Sequence, residues 1–595
     1  MTPIKFYENK QYSATVRLQS LRRKIIVNSI FRLAFFLASV ICLFSLVKFS
    51  VMASVITSVS CFSVFLYLVR KHILLQKSRK YWQVYLIEIE NEIKASNGDY
   101  SVFNAGGEYI DHRHPYSYDI DTFGKGGLFQ MLNRTATEIG SKLLAKKITT
   151  EMLQQQEIIS IQNAIKELCH NPELLIHFRA TGKTSEIVDE DINLLKSWVK
   201  NESLIGKSKI LHIISLLSPS IMALFVVLSF FNSGFSGFIV IMFLFNFFLI
   251  GFNFRKINTE HNSVSRFHKT LQKFQLLINV ISNNNFKSEY LLKNIEGIYS
   301  KQKNAGLILK SLTKMLGAFD SRLNFLAAIV LEGFLLWDFH CIRAIEKWRV
   351  QHADDLPIWL DEIANFDALV SLANYAFNNP GYVYPEPDKS IILKSEDLGH
   401  PLIPASERIC NDFELSSHGK FKIITGANMA GKSTFLRTVA VNQVLAMAGV
   451  PVCARYFKFK PVKLFTSMRT SDSLSEHESY FYAELRRLKE MFLLLESNND
   501  VFIILDEILK GTNSLDKQKG SRYALEKILK LNGTGLIATH DLELTKIVEK
   551  HPEMIENQCF EIEIDNAKIS FDYKLYNGVT KKMNAMLLME QMGII

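Results

Sequence analysis

The stretch FKIITGANMAGKST occupies residues 421–434 and decides how the C-terminal third of this 595-residue chain folds. It opens with a short apolar run, Phe421 to Ile424, and the residues after it, FLRTVAVNQVLAMAG, have a helix-like composition. Between the two lies a glycine-rich turn with the pattern Gly426-x-x-x-x-Gly431-Lys432-Ser433. A strand, a glycine-rich turn and a helix in this order predict a phosphate-binding loop, because the turn directs backbone N–H groups inward.

Each part of this turn has an expected role in holding ATP. Lys432 would neutralise the charge of the β- and γ-phosphates and contribute to catalysis, and Ser433 would hold Mg²⁺. The other residues expected to contact the nucleotide are Gly426, Ala427, Asn428, Met429, Ala430, Gly431 and Thr434. The sequence therefore predicts a site for ATP and Mg²⁺.

Two further apolar runs would complete the site. VFIILDE (501–507) is a continuous apolar run, typical of a strand buried in a parallel sheet. At its end, Asp506 would hold Mg²⁺ through water and Glu507 would act as the general base for the attacking water. GLIATH (535–540) predicts another strand, with His540 at the carboxyl end, where it would contact the γ-phosphate or the water. The alternatives are an ordinary acidic pair and a structural histidine.

Composition excludes wholesale disorder, since 48% of the residues are hydrophobic and 22% are charged. The length suggests roughly four domain-sized units. The net charge of +10 suits either nucleic acid or an anionic membrane surface.

The apolar excess is concentrated in two pairs of uncharged runs. They are LAFFLASVICLFSLV (33–47), FSVMASVITSVSCFSVFLYLV (49–69), 210–231 and 235–254. Runs of about 20 apolar residues are long enough to cross a bilayer as helices, so two transmembrane hairpins are predicted, at 25–71 and 210–254. The alternative is buried core helices. A shorter run at 325–337 contains Glu332 and is interpreted as a buried helix of the soluble part.

Lys and Arg flank the open ends of both hairpins, at 22–24, 70–71, 207–209 and 255–256. Because positive residues stay on the cytoplasmic side, both hairpins are expected to open into the cytoplasm. The prediction is a multi-pass protein of the inner, cytoplasmic membrane with its phosphate-binding part in the cytoplasm. The late start of the first run argues against a cleaved signal peptide.

The segment 426–540 resembles the ATPase domain of the MutS mismatch-repair proteins. TGANMAGKST is similar to that family's TGPNMGGKST, with Ala427 and Ala430 in place of Pro and Gly. DEILKGTN (506–513) is similar to DEIGRGTS, and ATHDLELT (538–545) matches the segment around the family's ATH. The resemblance implies an ABC-like α/β fold with a P-loop that binds and hydrolyses ATP.

SDSLSEHESYFYAE (471–484) matches the family's D-x-L…S-x-F-x-x-E pattern. In MutS this element reaches the nucleotide of the partner subunit. The resemblance therefore assigns Ser479 a contact with the γ-phosphate of the partner's ATP and implies a homodimer.

The resemblance extends over roughly 115–590 and includes FDYKLYNGVT (571–580), which is similar to the family's closing β-hairpin. It divides the chain into units. The expected units are an N-terminal cytoplasmic segment (1–24), the first hairpin (25–71), a linker (72–114), a MutS-like core domain (115–209), the second hairpin (210–254), the lever with the rest of the core (255–389) and the ATPase domain (390–595). The second hairpin lies where the family's lever helices run out to the DNA clamp. The mismatch-reading domain of MutS has no counterpart in this resemblance.

The segment 255–350 carries 15 Lys and Arg against 7 Asp and Glu. It would contact nucleic-acid phosphates, or it is a solvated helical lever next to a membrane. The expected protein is multidomain: a helical core and lever with two transmembrane hairpins, followed by a P-loop ATPase. Its expected function is a membrane-anchored ATPase coupled to DNA. The alternatives are a signalling or scaffold switch without DNA binding, and an ATP-driven transporter.

Overall fold

The computed structural model describes residues 2–45, 50–150, 152–184, 190–201, 208–299, 304–469, 480–497, 500–565 and 568–581. Over these residues the chain has a helical N-terminal region and a C-terminal α/β region.

The N-terminal region contains sixteen described helices. They are α1 (Pro3–Ser45), α2 (Val51–Ser96), α3 (Leu128–Leu132), α4 (Glu138–Thr149), α5 (Gln155–Cys169), α6 (Pro172–Lys183), α7 (Glu190–Lys200), α8 (Lys209–Phe231), α9 (Ser236–Ser265), α10 (Phe267–Ser282), α11 (Glu289–Asn294), α12 (Glu296–Tyr299), α13 (Ala305–Phe319), α14 (Phe325–Leu335), α15 (Trp337–His352) and α16 (Asp355–Asn378). Short 3₁₀ turns lie at Gly107–Tyr109, Ser233–Phe235 and Asp320–Leu323.

The C-terminal region alternates strands and helices. It contains β1 (Glu386–Pro387), β2 (Leu393–Leu398), β3 (Asn411–Leu415), β4 (Phe421–Gly426), α17 (Lys432–Met447), β5 (Tyr456–Phe459), β6 (Lys463–Ser467), α18 (Tyr480–Ser497), β7 (Val501–Asp506), α19 (Ser514–Lys530), β8 (Thr534–Thr539), α20 (Leu542–Thr545), β9 (Ile555–Phe560), β10 (Glu563–Asp565), β11 (Lys568–Ser570) and β12 (Leu575–Asn577). A 3₁₀ turn lies at Lys546–Glu549.

The main sheet has six strands in the order β12-β9-β4-β8-β7-β6. All neighbours pair in parallel except β12, which runs antiparallel to β9. The strands β4 and β8 are buried along their whole length, as their continuous apolar sequences predict. A second sheet of four strands has the order β1-β5-β2-β3.

The closing segment differs in one respect from the prediction. The family resemblance implies a closing β-hairpin at residues 571–580. They instead contribute the edge strand β12, while the neighbouring hairpin is formed by β10 and β11.

The two N-terminal helices are longer than the apolar runs they contain. The helix α1 has 43 residues and α2 has 46, and the two pack against each other. Residues 72–96, which the sequence analysis places in a linker, continue α2 without a break. Polar side chains join the helices within the apolar part: Ser58 Oγ donates to Ser39 O at 2.9 Å, and Asn28 Nδ2 donates to Leu68 O at 3.1 Å.

Four described segments are long and apolar enough to cross a membrane, judged by length and composition. They are Pro3–Ser45, Val51–Ser96, Lys209–Phe231 and Ser233–Ser282. These segments contain the predicted runs 210–231 and 235–254 and most of the runs 33–47 and 49–69, of which residues 46, 47 and 49 lie outside the described part of the chain. A bent pair, α14 with α15, meets the same criterion when its two helices are taken together.

The run at 325–337 does not form the buried helix that the sequence analysis predicts. Phe325 and Leu326 at the start of α14 are 75% and 73% exposed, and Glu332 is the charged residue that is buried. The prediction took the short length of the run and the charge of Glu332 as signs of a soluble helix with a buried apolar surface. It was wrong because the charged residue is the one that is buried, where its carboxylate accepts the backbone N–H of Asp338 at 3.2 Å, while the apolar side chains at the start of the helix are exposed.

The helical core contacts the α/β region through Asp119. Its carboxylate accepts the hydroxyl of Thr466 at 2.6 Å and the backbone N–H groups of Met468 and Arg469 at 3.2 and 3.0 Å. The guanidinium of Arg469 pairs with Asp121. These contacts join the start of the core to the end of β6 and the residues that follow it.

Candidate functional site

The candidate site lies at the carboxyl ends of β4, β7 and β8. Because these neighbouring strands are parallel, the segments that follow them meet at one edge of the sheet. A cavity of about 770 Å³ opens there. Its polar lining includes Asn428, Lys432, Ser433, Asp506, Glu507 and His540.

The glycine-rich turn between β4 and α17 depends on left-handed backbone at three positions. Gly426 has φ +158°, Met429 φ +66° and Gly431 φ +100°. A Cβ at Gly426 would lie 2.9 Å from the carbonyl oxygen of Phe560, so the close approach of β9 requires glycine there. Gly431 caps α17, which begins at Lys432 and has no acidic residue in its first turn. The helix thus presents its positive end to the cavity.

Lys432 lies inside the turn. Its ammonium donates to the carbonyl oxygens of Gly426 and Ala427 at 2.8 and 2.9 Å. Burial lowers the pKa of Lys432 to about 8, against the opposing effect of the nearby Asp506 and Glu507 carboxylates. The cation is therefore held at the centre of the loop by fixed dipoles.

Ser433 and Asp506 are in direct contact, although 73 residues separate them. The hydroxyl of Ser433 donates to Asp506 Oδ2 at 2.6 Å. A hydroxyl and a carboxylate are the hard oxygen donors that Mg²⁺ takes, and that ion keeps its other positions for water and phosphate. The pair therefore fits Mg²⁺. No cluster of three or more His, Cys, Asp or Glu side chains suited to a metal occurs within the described residues.

Glu507 has a left-handed backbone, with φ +50°, directly after β7. Its N–H donates to Ala538 O at 2.9 Å, which ties the residue to the end of β8. Its carboxylate contacts the ammonium of Lys517 at 3.4 Å and Nε2 of His540 at 3.7 Å. Burial lowers the pKa of His540, and the positive charge of Lys432 acts in the same direction. The geometry places a carboxylate and an imidazole side by side at the cavity.

The predicted loop residues divide into two groups. Asn428, Met429, Gly431, Lys432, Ser433 and Thr434 line the cavity. Gly426, Ala427 and Ala430 are buried behind it. Of these three, Gly426 and Ala427 supply the carbonyl oxygens that accept the Lys432 ammonium. Ser479 lies outside the described residues.

A further wall of the cavity contains residues to which the sequence analysis gave no role. Ile409, Tyr573, His400 and Phe560 line it. Asn411 fixes this wall: its amide donates to Tyr573 O at 3.0 Å and its carbonyl accepts the N–H of Leu575 at 2.9 Å. Burial and the charges of Arg437 and Arg408 lower the pKa of His400 to about 4, so its ring is neutral near pH 7. Tyr573 belongs to the segment 571–580, whose resemblance to a family element was the available signal.

Comparison with known proteins places this geometry in a family. Residues 422–594 match the family model described as MutS domain V. Over 518 residues the chain is 28% identical to the DNA mismatch repair protein MutS of Finegoldia magna, an alignment that covers 79% of this chain and 58% of that protein. The chain belongs to the MutS family. The match to domain V agrees with a helical N-terminal region followed by a C-terminal α/β domain.

Other MutS relatives align over the C-terminal part. This MutS-family chain is 34% identical over 235 residues to the human MutS protein homolog 4, covering 38% of the chain and 24% of that protein. It is 34% identical over 237 residues to the DNA mismatch repair protein MutS of Fusobacterium nucleatum, covering 39% and 26%. The chain thus spans between about a quarter and three fifths of the length of these relatives.

Proposed function

We propose that this MutS-family protein is a membrane-anchored ATPase that hydrolyses ATP in the cavity at the edge of its main sheet and couples hydrolysis to DNA binding. The observation that carries the proposal is the contact of Ser433 with Asp506 at 2.6 Å, beside Lys432 at the positive end of α17. Backbone dipoles, one cation and a pair of oxygen ligands converge there on a space large enough for a nucleotide.

The phosphates would lie against the loop of residues 426–434. The ammonium of Lys432 would move from the carbonyl oxygens of the turn to the β- and γ-phosphate oxygens, whose negative charge favours its protonated form. Mg²⁺, held by Ser433 and by Asp506, would supply charge neutralisation at the phosphates.

Glu507 is proposed as the general base. Its carboxylate would accept a proton from the attacking water, and its left-handed backbone directs it from the strand end towards the cavity. His540, 3.7 Å from that carboxylate, would orient the water or contact the γ-phosphate. The neutral form of His540, favoured by its lowered pKa, is able to accept a hydrogen bond as well as donate one.

The nucleobase would lie over the apolar wall at Ile409 and Tyr573. A second chain would complete the site by contributing its Ser479 to the γ-phosphate, so the active form would be a homodimer. Because each chain would contribute Ser479 to its partner's ATP, binding of ATP at one site of the dimer would affect binding at the other.

The proposed location is the cytoplasmic membrane, with both hairpins crossing the bilayer and the ATPase region in the cytoplasm. Support comes from the four apolar helical segments and from the Lys and Arg residues at their open ends. The continuation of α2 into the core would transmit movement between membrane and ATPase without a flexible joint.

Nucleotide binding is tested with Lys432→Ala in the full-length protein, using a fluorescent ATP analogue with Mg²⁺. We expect the variant to lose at least 100-fold in affinity, because it removes the only cation that the described loop residues bring to the phosphates. Lys530→Ala, at an exposed position on α19, is the matched control. Equal affinity of Lys432→Ala and wild type would reject the site.

DNA coupling is supported by the DNA mismatch repair relatives and by the positive charge of 255–350. It is tested by titrating the purified protein with duplex, branched and mismatched DNA at several salt concentrations. Affinity should fall steeply with salt if phosphates are contacted. Absent binding at low salt would favour the alternative, a membrane-bound signalling or scaffold switch that uses ATP without DNA.

A further inference from the structure

The helix α14 exposes an apolar surface that water does not favour. Phe325, Leu326 and Val330 are 75%, 73% and 55% exposed, and the preceding Leu323 is 73% exposed. Its buried residues are Glu332 and Gly333. A contiguous exposed apolar surface of this kind marks contact with a membrane or a partner.

This helix is docked on the second hairpin. The amide of Asn246 on α9 donates to Gly333 O at 2.8 Å and accepts the hydroxyl of Ser218 on α8 at 2.5 Å. The rings of Phe334 and Phe243 meet edge to face with centroids 5.4 Å apart. The side chain of Asn246 is completely buried. The two hydrogen bonds satisfy the amide of Asn246, which is buried between apolar helices. They therefore fix the position of α14 on the hairpin.

The docking point lies well inside the predicted membrane part of α9. Asn246 and Phe243 precede Arg255, the first positive residue after the apolar run, by 9 and 12 residues. At 1.5 Å per residue they lie about 14 and 18 Å along the helix from that charge. Since a hydrocarbon core is about 30 Å thick, α14 contacts the hairpin near mid-bilayer depth.

The chain enters and leaves this segment on one side. The indole N–H of Trp337 donates to Ala318 O at 2.9 Å, and Arg322 pairs with Asp338 at 3.3 Å. Leu336, with φ +49°, turns the chain by 83° from α14 into α15. The 11 residues of α14 extend only about 16 Å, too short to cross the core.

We propose that α14 is a re-entrant helix embedded in the cytoplasmic leaflet, where phospholipid acyl chains cover its exposed apolar side chains. The occupant is lipid because the surface continues that of α9, on which Phe248 and Phe252 are 68% and 80% exposed. This inference rests on the proposed crossing of the bilayer by α8 and α9. Each chain would then have five membrane-embedded segments.

The re-entrant helix also connects the leaflet to the core. From Leu336 the chain runs directly into α15, where His340 contacts Ser215 O of α8 at 2.9 Å and Trp348 donates to Ile308 O of α13 at 3.1 Å. A change in lipid packing around α14 would therefore shift α15 and, through the contact of Trp348 with Ile308, α13.

The test places the photoreactive residue benzoylphenylalanine at one position at a time in the full-length protein in phosphatidylethanolamine and phosphatidylglycerol vesicles. The positions are Leu326 on α14, Phe248 on α9 and Val350 on α15, which are 73%, 68% and 66% exposed. After irradiation, mass spectrometry of the peptides detects phospholipid adducts. We expect adducts at 326 and 248 and at least a tenfold lower yield at 350.

Each other outcome overturns the inference in a different way. Adducts at 248 without adducts at 326 reject the re-entrant helix and leave the membrane anchoring intact. Adducts at neither position reject the anchoring as well. Cross-links from 326 to protein in place of lipid would show that a partner or a second copy covers α14. Equal lipid labelling at 326 and 350 would reject the assignment of α14 to the leaflet, because its exposed side chains would then meet lipid no more often than those of α15.

Discussion

Arg134 donates from Nε to Oε1 of Glu92 at 2.8 Å, and both side chains are almost completely shielded from solvent. Arg179 pairs with the same carboxylate at 2.6 Å and with Glu88 at 2.6 Å. Glu88 and Glu92 belong to α2, the helix that extends from the predicted first hairpin, whereas the two arginines belong to the core. Four buried charges therefore fix α2 to the core.

This buried network makes a prediction about stability. Glu92→Gln should lower the free energy of unfolding by about 3–5 kcal/mol, because it leaves two buried guanidinium groups without their shared carboxylate. Thermal unfolding in detergent measures the change. Glu90→Gln on the same helix is the control, since Glu90 is exposed and should change stability by less than about 0.5 kcal/mol. Equal unfolding of the two variants would contradict a structural role for the network.

The same carboxylate predicts a pH dependence. Burial alone would raise the pKa of Glu92, but the charges of Arg134 and Arg179 outweigh it and lower the pKa from 4.5 to about 2. Because the folded-state pKa is the lower one, the stabilisation is complete above pH 4.5 and is lost as the pH falls towards 2. The stability difference between wild type and Glu92→Gln should therefore shrink over that interval. A constant difference from pH 7 to pH 2 would argue against it.

Glu507→Gln should separate ATP binding from hydrolysis. The amide keeps the size of the side chain and cannot take a proton from water, so we expect ATP affinity within threefold of wild type and a hydrolysis rate at least 100-fold lower. Phosphate release and binding of a fluorescent ATP analogue measure the two quantities. Glu543→Gln, an exposed residue of α20, serves as control. Full hydrolysis by Glu507→Gln would reject the assignment of the base.

Tyr573→Ala tests the apolar wall of the cavity. Loss of the ring removes a surface against which the nucleobase would pack, so KM for ATP should rise about tenfold while kcat changes little. Tyr576→Ala is a matched control, because Tyr576 is similarly exposed and does not line the cavity. An unchanged KM in Tyr573→Ala would show that the nucleobase of ATP does not pack against Tyr573.

Asp119→Asn should weaken the junction between the core and the α/β region. The carboxylate accepts a hydroxyl and two backbone N–H groups, and an amide offers one acceptor atom fewer. We expect a loss of about 1–3 kcal/mol in unfolding free energy. Asp111→Asn, at an exposed position in the preceding segment, is the comparison. If both variants unfold alike, the Asp119 contacts contribute nothing measurable.

Much of the α/β region is predictable from the sequence, because short contiguous stretches of sequence specify its strands and its first helix. The apolar runs at 421–424, 501–507 and 535–540 correspond to the parallel strands β4, β7 and β8. The helix-like stretch from Phe435 belongs to α17, which begins three residues earlier at Lys432. Parallel order then brings the strand ends together, so the polar half of the cavity follows from three motifs.

The remaining features depend on contacts between distant residues. Tyr573 reaches the cavity because Asn411, 162 residues earlier, fixes its backbone. A contact between residues so far apart in the chain leaves no local sequence pattern from which it could be predicted. Arg134 and Glu92 are an ordinary basic and an ordinary acidic residue until folding buries them together. The burial of Glu332 in α14 was not predicted for the same reason. The backbone N–H of Asp338 reaches its carboxylate because the chain turns at Leu336, and the sequence pattern does not indicate this turn.

The unbroken course of α2 has a consequence for how two chains would meet. If α2 is anchored in a bilayer and fixed to the core, every copy would carry the proposed nucleotide cavity at the same height above the membrane and with the same side facing it. Encounters between copies would then occur in a plane, and their frequency would depend on the number of molecules per unit area. Pairing would respond to crowding of the membrane surface more than to the concentration of the protein in the cell.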